Sequence, residues 1–274
     1  MTISGRVRVF QQLHQSGCFV IPNPWDPGSA RMLERLGFAA LATTSSGHAW
    51  SRGRADNHVV LDDVLVHLRE MAEAVSVPIN ADFEGGFAVE PAEVAANVAL
   101  ACATGIAGLS IEDSTGDSAD PLFAFDLAVE RIRAARQAID DSETGILLVG
   151  RSEGFIAGRP DLDETIRRLT AYADAGADCL YAPGIRGMDQ ITAVVKAVSP
   201  KPVNVLVSTD FTTVAALAEV GVRRISVGGA LARTAWAGFM DAATEIATHG
   251  TFTSLAGIIS GALLNDAFES RKES

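Results

Sequence analysis

Short apolar runs alternate along this chain with longer segments that carry apolar residues at helical spacing. Most of the short runs are apolar at nearly every position, which is typical of strands covered on both faces. Their alternation with helices predicts repeated βα units and a parallel sheet. Eight such runs are present, at residues 18–22, 39–44, 78–83, 108–113, 146–153, 179–183, 202–207 and 224–228. The simplest closure is a (β/α)8 barrel, an α/β fold of the TIM type.

Helical patterns fill the intervals between these strands and extend beyond them at both ends of the chain. An extra helix is predicted before the first strand, at residues 7–16, and two more after the last, at 230–248 and 252–268. Pro121 suits a first helical position, and Asp210 could cap the helix that follows it. The barrel is therefore predicted to carry one extra N-terminal helix and additional C-terminal helices.

The C-terminal segment is more apolar than a solvent-facing tail should be, above all over residues 255–264. We interpret the chain as one domain, residues 1–274, in which residues 250–274 form a helical oligomerisation segment. The predicted assembly is a homodimer or homotetramer in which the last helices pack on another subunit. The alternative is that this segment lies back over its own barrel.

Composition and charge exclude several classes of protein. The 274 residues are 48% hydrophobic, enough for a sizeable core, and the net charge is −12. That balance argues against a nucleic-acid partner, because binding to a polyanion draws on clustered Lys and Arg. The chain lacks an apolar leader or a window of about 20 apolar residues, so we expect a cytoplasmic protein without membrane contact. Three widely spaced cysteines in apolar stretches predict buried, reduced thiols.

Polar residues gather where the predicted strands end, which is where barrel enzymes place their catalytic groups. The candidates are Ser45, Ser46, Gly47 and Asp56 after the second strand, Asn80, Asp82 and Glu84 on the third, Glu112 and Asp113 on the fourth, Arg151 and Glu153 on the fifth, and Asn204 on the seventh. Alternation along a strand would point Asn80, Asp82 and Glu84 the same way.

Several carboxylates that face one cavity repel one another unless a cation lies between them. With oxygen ligands and no His or Cys at these strand ends, the expected ion is Mg²⁺ or Mn²⁺ rather than zinc. We assign the metal site to Asp82 and Glu112, with Asn80 acting through water and Glu84 as a weaker candidate. The alternative is that these carboxylates form ordinary ion pairs at the barrel rim.

Other residues in this group suit substrate binding. Arg151 can hold a substrate carboxylate by two parallel hydrogen bonds, which a planar guanidinium does better than Lys. The turn Ser45-Ser46-Gly47 offers consecutive backbone N–H groups to an anionic oxygen. Asn204 stands at a strand end, and Trp25 either walls the pocket or packs the barrel rim.

Several short stretches together resemble the isocitrate lyase and phosphoenolpyruvate mutase superfamily over nearly the whole chain. They are Asn23-Pro24-Trp25-Asp26 with Ser29-Ala30, Thr43-Thr44-Ser45-Ser46-Gly47, Asn80-Ala81-Asp82, Ser110-Ile111-Glu112-Asp113, Arg151-Ser152-Glu153 with Phe155-Ile156-Ala157-Gly158, Ala175-Gly176-Ala177-Asp178, and Lys201-Pro202-Val203-Asn204. The resemblance implies a (β/α)8 barrel, Mg²⁺ or Mn²⁺, and small 2-oxo or 2-hydroxy acid substrates that react through a metal-stabilised enolate. It also implies dimers that exchange their last helices and pair into tetramers.

The resemblance also implies roles for individual residues. Asp82 corresponds to the family's metal-binding aspartate, Glu112 to its metal-shell glutamate and Arg151 to the arginine that holds the substrate carboxylate. Ser46 and Gly47 correspond to backbone donors to the same ligand, and Asp56 to an acid near the metal's water molecules. Asn80 departs from the family, which has an aspartate there, so this chain carries one charge fewer.

The loop after the fourth strand departs further from the family. Members that cleave isocitrate or methylisocitrate carry a Cys there, within a basic motif, that moves a proton. Here the loop is only Ser114-Thr115-Gly116-Asp117-Ser118-Ala119-Asp120. The resemblance therefore favours a metal-dependent carbon–carbon lyase of the oxaloacetate decarboxylase type, or a methylisocitrate lyase type in which water or Tyr181 replaces the Cys. The alternatives are a phosphonopyruvate-type mutase or hydrolase, and a 2-oxo acid binding protein with little turnover.

Overall fold

The computed structural model of the chain describes residues 2–269. All eight predicted strands are present: β1 Phe19–Ile21, β2 Leu41–Ala42, β3 Ile79–Asp82, β4 Gly108–Glu112, β5 Leu147–Arg151, β6 Cys179–Tyr181, β7 Val203–Leu206 and β8 Arg224–Ser226. Each lies inside the apolar run that predicted it. The strands are shorter than those runs because the pairing ends where the chain turns outward into the loops.

The strands form one parallel sheet in the order β1-β8-β7-β6-β5-β4-β3-β2. A hydrogen bond from the amide of Ala42 to the carbonyl of Pro22, 3.1 Å long, joins the two end strands. The sheet thereby curls into the predicted (β/α)8 barrel. Because all strands run in one direction, their carboxyl ends meet at a single rim, which brings the polar strand ends together.

Helices precede, alternate with and follow these strands. They are α1 Ile3–Gln15, α2 Pro27–Arg35, α3 Ser45–Ser51, α4 Leu61–Ala74, α5 Pro91–Cys102, α6 Phe125–Asp141, α7 Leu162–Asp174, α8 Met188–Ala197, α9 Val214–Glu219, α10 Ala230–His249 and α11 Gly261–Glu269, with a 3₁₀ turn at Thr253–Leu255. The predicted extra helix is α1, and it covers the end of the barrel where the strands begin. Its Phe10 is fully buried there. A Cβ at Gly108, the first residue of β4, would lie 2.8 Å from the Phe10 ring.

Three details of the helix prediction are wrong. The helix predicted to start at Pro121 starts at Phe125, because Leu122 first pairs with Ser114 in an antiparallel bridge. Thr213, rather than Asp210, caps α9, its side chain accepting a hydrogen bond from the amide of Ala216. The single helix predicted at 252–268 is instead a 3₁₀ turn and α11, separated by a turn in which Gly257 has a φ of +81°.

The helix after β8 does not pack closely on the barrel. Beyond Ala232, nearly every residue of α10 is exposed, including Phe239 at 58%. The following α11 lies against α2, where Arg31 and Arg35 reach carbonyls of Phe268 and Asp266. The end of the segment predicted to make subunit contacts, residues 270–274, lies outside the described residues. Across residues 2–269, none of the helices has the length and apolar character required to cross a membrane.

Candidate active site

A cavity of about 320 Å³ opens at the rim where the strands end. Most of the residues singled out from the sequence line it together: Ser45, Ser46, Asp56, Asn80, Asp82, Glu112, Arg151, Glu153 and Tyr181. They come from six separate segments of the chain. The barrel therefore assembles one polar site from residues that lie far apart in the sequence.

Arg151, at the end of β5, is the centre of the acidic cluster in this cavity. Its Nη1 atom lies 3.2 Å from Oδ1 of Asp82 and 3.1 Å from Oε2 of Glu112, and its Nε donates to Glu153. Register explains two of these contacts, because Arg151 pairs with Glu112 across the sheet and β3 flanks β4. Burial alone would lower the pKa of Arg151, but the carboxylates, led by Glu112, raise it well above its ordinary value. Its positive charge is therefore retained.

A second buried network holds the end of β5 from behind. Asp113 is 2% exposed, and its Oδ1 accepts a 2.7 Å hydrogen bond from the amide of Glu153. Its Oδ2 accepts hydrogen bonds from Nη1 of Arg168, at 3.1 Å, and from the Tyr172 hydroxyl, at 2.7 Å. Asp113 thus supports the backbone beside the cavity rather than lining it. Sequence reasoning missed Arg168 and Tyr172, because both lie on α7, far from any strand end.

Carboxyl groups outnumber guanidinium groups in the acidic cluster, where Asp82, Glu112 and Glu153 all contact Arg151. Burial raises the pKa of Glu112 well above its ordinary value, and nearby carboxylates add to the effect of burial. Burial also raises the pKa of Asp56, to which the charge of Asp82 contributes. One guanidinium faces this group of acids, so the cluster has room for a further positive charge.

Glu84 lies apart from the main cavity. The strand ends at Asp82, and Glu84 has a left-handed φ of +48°, which breaks the alternation expected from the sequence. Its side chain borders a small adjoining cavity with Asp82 and the stacked rings of His48 and His67. Burial, with smaller contributions from Asp82 and Asp56, raises the pKa of Glu84 to about 8.

The Ser-Ser-Gly segment forms the first turn of α3 rather than an open loop. Thr44 caps this helix, its hydroxyl accepting a 3.3 Å hydrogen bond from the amide of Gly47. The amide of Ser45 donates to Oδ2 of Asp82 at 3.0 Å. Gly47 is buried outside the cavity, and a Cβ there would lie 2.9 Å from Cβ of Trp25. Two of the amides expected to cradle a ligand thus have partners within the protein.

The structure places two more predicted residues beside the cavity rather than in its lining. Trp25 borders a shallow outer groove with Trp236 and Phe239. Asn204 is 1% exposed and lies behind the cavity, where its Nδ2 donates to Oγ of Ser226 at 2.9 Å. Trp25 therefore walls the groove beside α10, and Asn204 supports the cavity floor.

The floor of the cavity contains an arginine that sequence reasoning missed. Arg224 begins β8, is 2% exposed and points into the barrel. Its Nε donates to Oδ1 of Asn204 at 2.9 Å, and its Nη1 donates to Oδ1 of Asn80 at 3.3 Å. The pair Arg223-Arg224 at the start of an apolar strand was the available signal, because alternation places one of the two facing inward.

Two further residues shape the cavity. Asn23, also missed, joins three strand ends: its Nδ2 donates to the carbonyl of Thr43, and its Oδ1 accepts from the amides of Val227 and Gly228. Tyr181 lies with its ring centroid 5.2 Å from Cζ of Arg151 and lines the cavity together with Ser226. Burial raises the pKa of the Tyr181 hydroxyl to about 12, so it stays protonated at neutral pH.

Comparison with known proteins identifies relatives of the whole barrel. A crystal structure of a Burkholderia cenocepacia protein, named as a candidate lyase or mutase, is 45% identical and superposes with a TM-score of 0.95 over 98% of both chains. An oxaloacetate decarboxylase of Paraburkholderia xenovorans is 31% identical over 206 residues, which is 70% of this chain and 66% of that protein. Oxaloacetate acetylhydrolase in complex with its product oxalate is 26% identical, with a TM-score of 0.86 over 97% of this chain and 94% of the other.

The family model described as phosphoenolpyruvate phosphomutase matches residues 10–247. That span includes all eight strands and every residue assigned above to the cavity. The resemblance inferred from the sequence motifs is confirmed. The chain belongs to the phosphoenolpyruvate phosphomutase family of enzymes, within the superfamily that also contains isocitrate lyase.

Proposed function

We propose that this protein is a divalent-metal-dependent carbon–carbon lyase that decarboxylates oxaloacetate or a closely related 2-oxo dicarboxylate. The observation that carries the proposal is the excess of carboxylates over Arg151 in a cavity at the carboxyl ends of the strands. Two of the relatives described above are named for reactions of oxaloacetate.

The acidic cluster fits a hard divalent cation. Residues 2–269 contain no group of three His, Cys, Asp or Glu side chains already arranged around one point. Mg²⁺ does not require such a group, since it binds through one or two carboxylates and keeps several water molecules. Asp82 and Glu112 would hold the ion, directly or through water, and Asn80 would contact a bound water. When bound, the ion would polarise the 2-oxo group and accept electron density as the carbon–carbon bond breaks.

The protein's own groups would position the substrate and the ion. Arg151 would hold the carboxyl groups of Asp82, Glu112 and Glu153 in place. The Ser46 hydroxyl, 3.1 Å from Oγ1 of Thr44, faces the same cavity and can donate to a substrate oxygen. Asp56, whose pKa burial raises, would orient water at the cavity mouth.

Proton delivery falls to Tyr181 in this proposal. Decarboxylation breaks the bond between C3 and the departing carboxylate, and the electron pair left on the organic fragment must finally take up one proton at C3. Tyr181 carries a proton at neutral pH and lines the cavity. Its hydroxyl or a water beside it can supply that proton, and solvent then restores it.

The loop after β4 favours decarboxylation over cleavage of a hydroxy acid. Release of CO₂ needs no base to remove a hydroxyl proton, whereas aldol-type cleavage does. The loop folds on itself, the Thr115 hydroxyl donating to the carbonyl of Asp120 at 2.5 Å. Ser114 is the loop residue that borders the cavity. A substrate that requires no loop acid or base therefore suits this site best.

Assembly and location remain predictions. Large apolar side chains are exposed along residues 236–263: Trp236, Phe239, Met240, Ile246, Phe252, Leu255, Ile258, Ile259 and Leu263. Many exposed apolar side chains in one segment are typical of a protein–protein interface. We expect a homodimer or homotetramer in which α10 and the segment after it meet another subunit, in a cytoplasmic enzyme.

The test is pyruvate formation from oxaloacetate. Purified protein with MgCl₂ is mixed with oxaloacetate, methylisocitrate or phosphonopyruvate, and pyruvate is followed against the rate with Asp82→Ala at the same Mg²⁺ concentration. This control removes decarboxylation caused by the metal in solution. We expect turnover of oxaloacetate by the wild type, lost with EDTA. Pyruvate produced from phosphonopyruvate alone would contradict the proposal.

A further inference from the structure

The cavity at the rim has a charged side and an apolar side. On the charged side, Asp82, Glu112 and Arg151 end the adjacent strands β3, β4 and β5. Across the cavity, Leu206 ends β7, and its side chain belongs to the lining. A substrate in this cavity therefore meets charged groups at one end and hydrocarbon at the other.

The side chain of Leu206 is held in place from two directions. It packs against a small apolar cluster inside the barrel, formed by Val149, Cys179 and Tyr181. From the β8 side, Gly228 approaches it so closely that a Cβ there would lie 3.1 Å from Cδ1 of Leu206. Leu206 therefore presents a fixed apolar surface to the cavity.

Two residues of the segment after β5 extend this apolar surface. Ile156 and Ala157 line the same cavity, and Ile156 is 52% exposed. Ile156 lies near the end of β6, where a Cβ on Gly184 would be 3.2 Å from its Cγ1 atom. Because β6 is the neighbour of β7 in the sheet, Ile156 and Leu206 stand on the same side. We call Leu206, Ile156 and Ala157 the apolar wall.

A carboxylate against the apolar wall has no cation at its own level of the barrel. Among the described residues that line the cavity, the cationic ones are Arg151 and Arg224. Arg151 is engaged by three carboxyl groups on the charged side. Leu206 pairs with Ser226, two residues beyond Arg224, which places Arg224 about 7 Å deeper along β8. The wall thus offers an anion neither charge nor, from its own side chains, a hydrogen bond.

Decarboxylation removes the negative charge from one end of a substrate. The bond between C3 and the departing carboxylate breaks, its electron pair stays on the organic fragment, and the carboxylate leaves as neutral CO₂. An ionised carboxylate loses solvation against hydrocarbon, whereas CO₂ carries no charge to be solvated. An apolar surface at this end therefore favours the transition state over the bound substrate.

We propose that the apolar wall receives the carboxylate that departs as CO₂, and that Leu206 is a specificity-determining residue for decarboxylation. The proposal rests on the proposed function in taking a 2-oxo dicarboxylate as substrate. The retained carboxylate and the 2-oxo group then lie on the charged side of the cavity. A hydrogen-bond donor at position 206 would hold the departing carboxylate more tightly before the reaction than during it, and would slow the reaction.

The first experiment measures steady-state kinetics of oxaloacetate decarboxylation at one Mg²⁺ concentration. Leu206→Gln should lower kcat about 10-fold or more, because the new donor stabilises the bound carboxylate and not the departing CO₂. For the same reason KM should fall as well, which leaves kcat/KM nearly unchanged. Leu206→Met keeps the wall apolar and should lower kcat less. Leu100→Gln is the matched control on the surface of α5, where Leu100 is 50% exposed, and should change neither constant.

A second variant of the wall avoids the risk that a polar side chain at position 206 disturbs the barrel. Ile156 is 52% exposed, so Ile156→Gln does not bury a polar group. It should show the same joint fall of kcat and KM, to a smaller extent. The Tm of each variant without ligand, measured beside the wild type, shows whether the fold is retained.

The second experiment tests binding without chemistry, by calorimetric titration with malate and with oxalate. Malate has two carboxylates and does not lose CO₂, whereas oxalate corresponds only to the retained carboxylate and the carbon that carries the oxo group. Leu206→Gln should bind malate about 10-fold more tightly than the wild type does, and oxalate equally.

The two experiments separate failure of this inference from failure of the proposed function. A folded Leu206→Gln enzyme with unchanged kcat and KM, or with a lower kcat and a higher KM, would overturn the inference alone. Malate binding no tighter than in the wild type would also overturn it. A wild type that does not decarboxylate oxaloacetate would refute the proposed function, and the malate titration would still test whether the wall disfavours an ionised carboxylate.

Discussion

Nη1 of Arg151 lies 3.2 Å from Oδ1 of Asp82, so the guanidinium occupies the side of this carboxylate that faces the cavity. A divalent cation would approach the same oxygen. The arginine and the ion are therefore alternative counter-charges for one acidic cluster, and Glu153, bonded to Nε, gives the guanidinium a second anchor when the ion binds.

Substitution of Arg151 tests whether its guanidinium and a divalent cation are alternative counter-charges for the acidic cluster. In Arg151→Gln, buried carboxylates lose their partner, which costs about 3–5 kcal/mol of the free energy of unfolding. Mg²⁺ should restore more stability to this variant than to the wild type, because the ion then replaces the counter-charge that Arg151 supplies. Urea unfolding with and without Mg²⁺ measures both effects.

Arg133→Gln is the control for that experiment. Arg133 pairs with Glu130 on the surface of α6, and its side chain is 57% exposed. An exposed pair of this kind contributes about 0–1 kcal/mol. Equal losses in the two variants would show that Arg151 does not balance a buried acidic cluster.

Asp82→Asn tests the metal assignment without changing side-chain size. The amide of Ser45 can still donate to the carboxamide oxygen of the substituted side chain, so the first turn of α3 stays in place. Loss of the charge should lower kcat/KM for oxaloacetate about 100-fold or more. Asp117→Asn, in the exposed loop after β4, should leave the rate unchanged. An active Asp82→Asn enzyme would rule out metal binding at this residue.

The barrel could be predicted from the sequence because its signal is repeated eight times. Each strand is a short apolar run, and the polar residue at its end reaches the common rim whatever the details of packing. Asp82, Glu112 and Arg151 were found in this way.

The remaining site residues could not be predicted, because their positions depend on backbone direction and helix packing that the sequence pattern does not specify. Alternation requires Arg223 or Arg224 to face inward but does not say which. Glu84 was expected beside Asp82, yet the strand stops at Asp82 and a left-handed residue turns the next acid away. The support of β5 by Arg168 depends on how α7 packs against the barrel.

The ion pairs of Arg168 predict that substitutions of its two acidic partners, Asp113 and Glu164, differ in their effect on stability. Its Nη1 contacts buried Asp113 at 3.1 Å, and its Nε contacts Glu164, which is 33% exposed, at 2.8 Å. Asp113→Asn should lower the free energy of unfolding by about 3–5 kcal/mol, because Arg168 then remains buried without its buried counter-charge. Glu164→Gln should cost about 0–1 kcal/mol. Unfolding of both variants in guanidinium chloride measures the two losses of stability. Losses of similar size would contradict the prediction.

The raised pKa of Glu84 predicts how the stability of the folded protein depends on pH. Its pKa is about 8 in the folded protein, against an ordinary value near 4.5, chiefly because of burial. The folded state therefore holds this proton more tightly than the unfolded state does. Stability from this group is fully present below about pH 4.5 and is lost as pH rises toward 8. Glu84→Gln, which cannot ionise, should be more stable than wild type by about 4–5 kcal/mol at pH 8.5 and nearly equal to it at pH 4.5, because each unit of the pKa difference corresponds to about 1.4 kcal/mol.

Binding of a divalent cation should reverse part of the loss of stability that ionisation of Glu84 causes. A cation at Asp82 lowers the pKa of the nearby Glu84 carboxyl, so binding near pH 7 releases a proton, and Mg²⁺ binds more tightly as pH rises from 6 to 8. Calorimetry in two buffers of different ionisation enthalpy measures the proton release, and Glu84→Gln should abolish most of it. Asp63→Asn is the control, since Asp63 pairs with Arg54 near the protein surface. If Mg²⁺ affinity were independent of pH in the wild type, Glu84 would not sense the charge at Asp82.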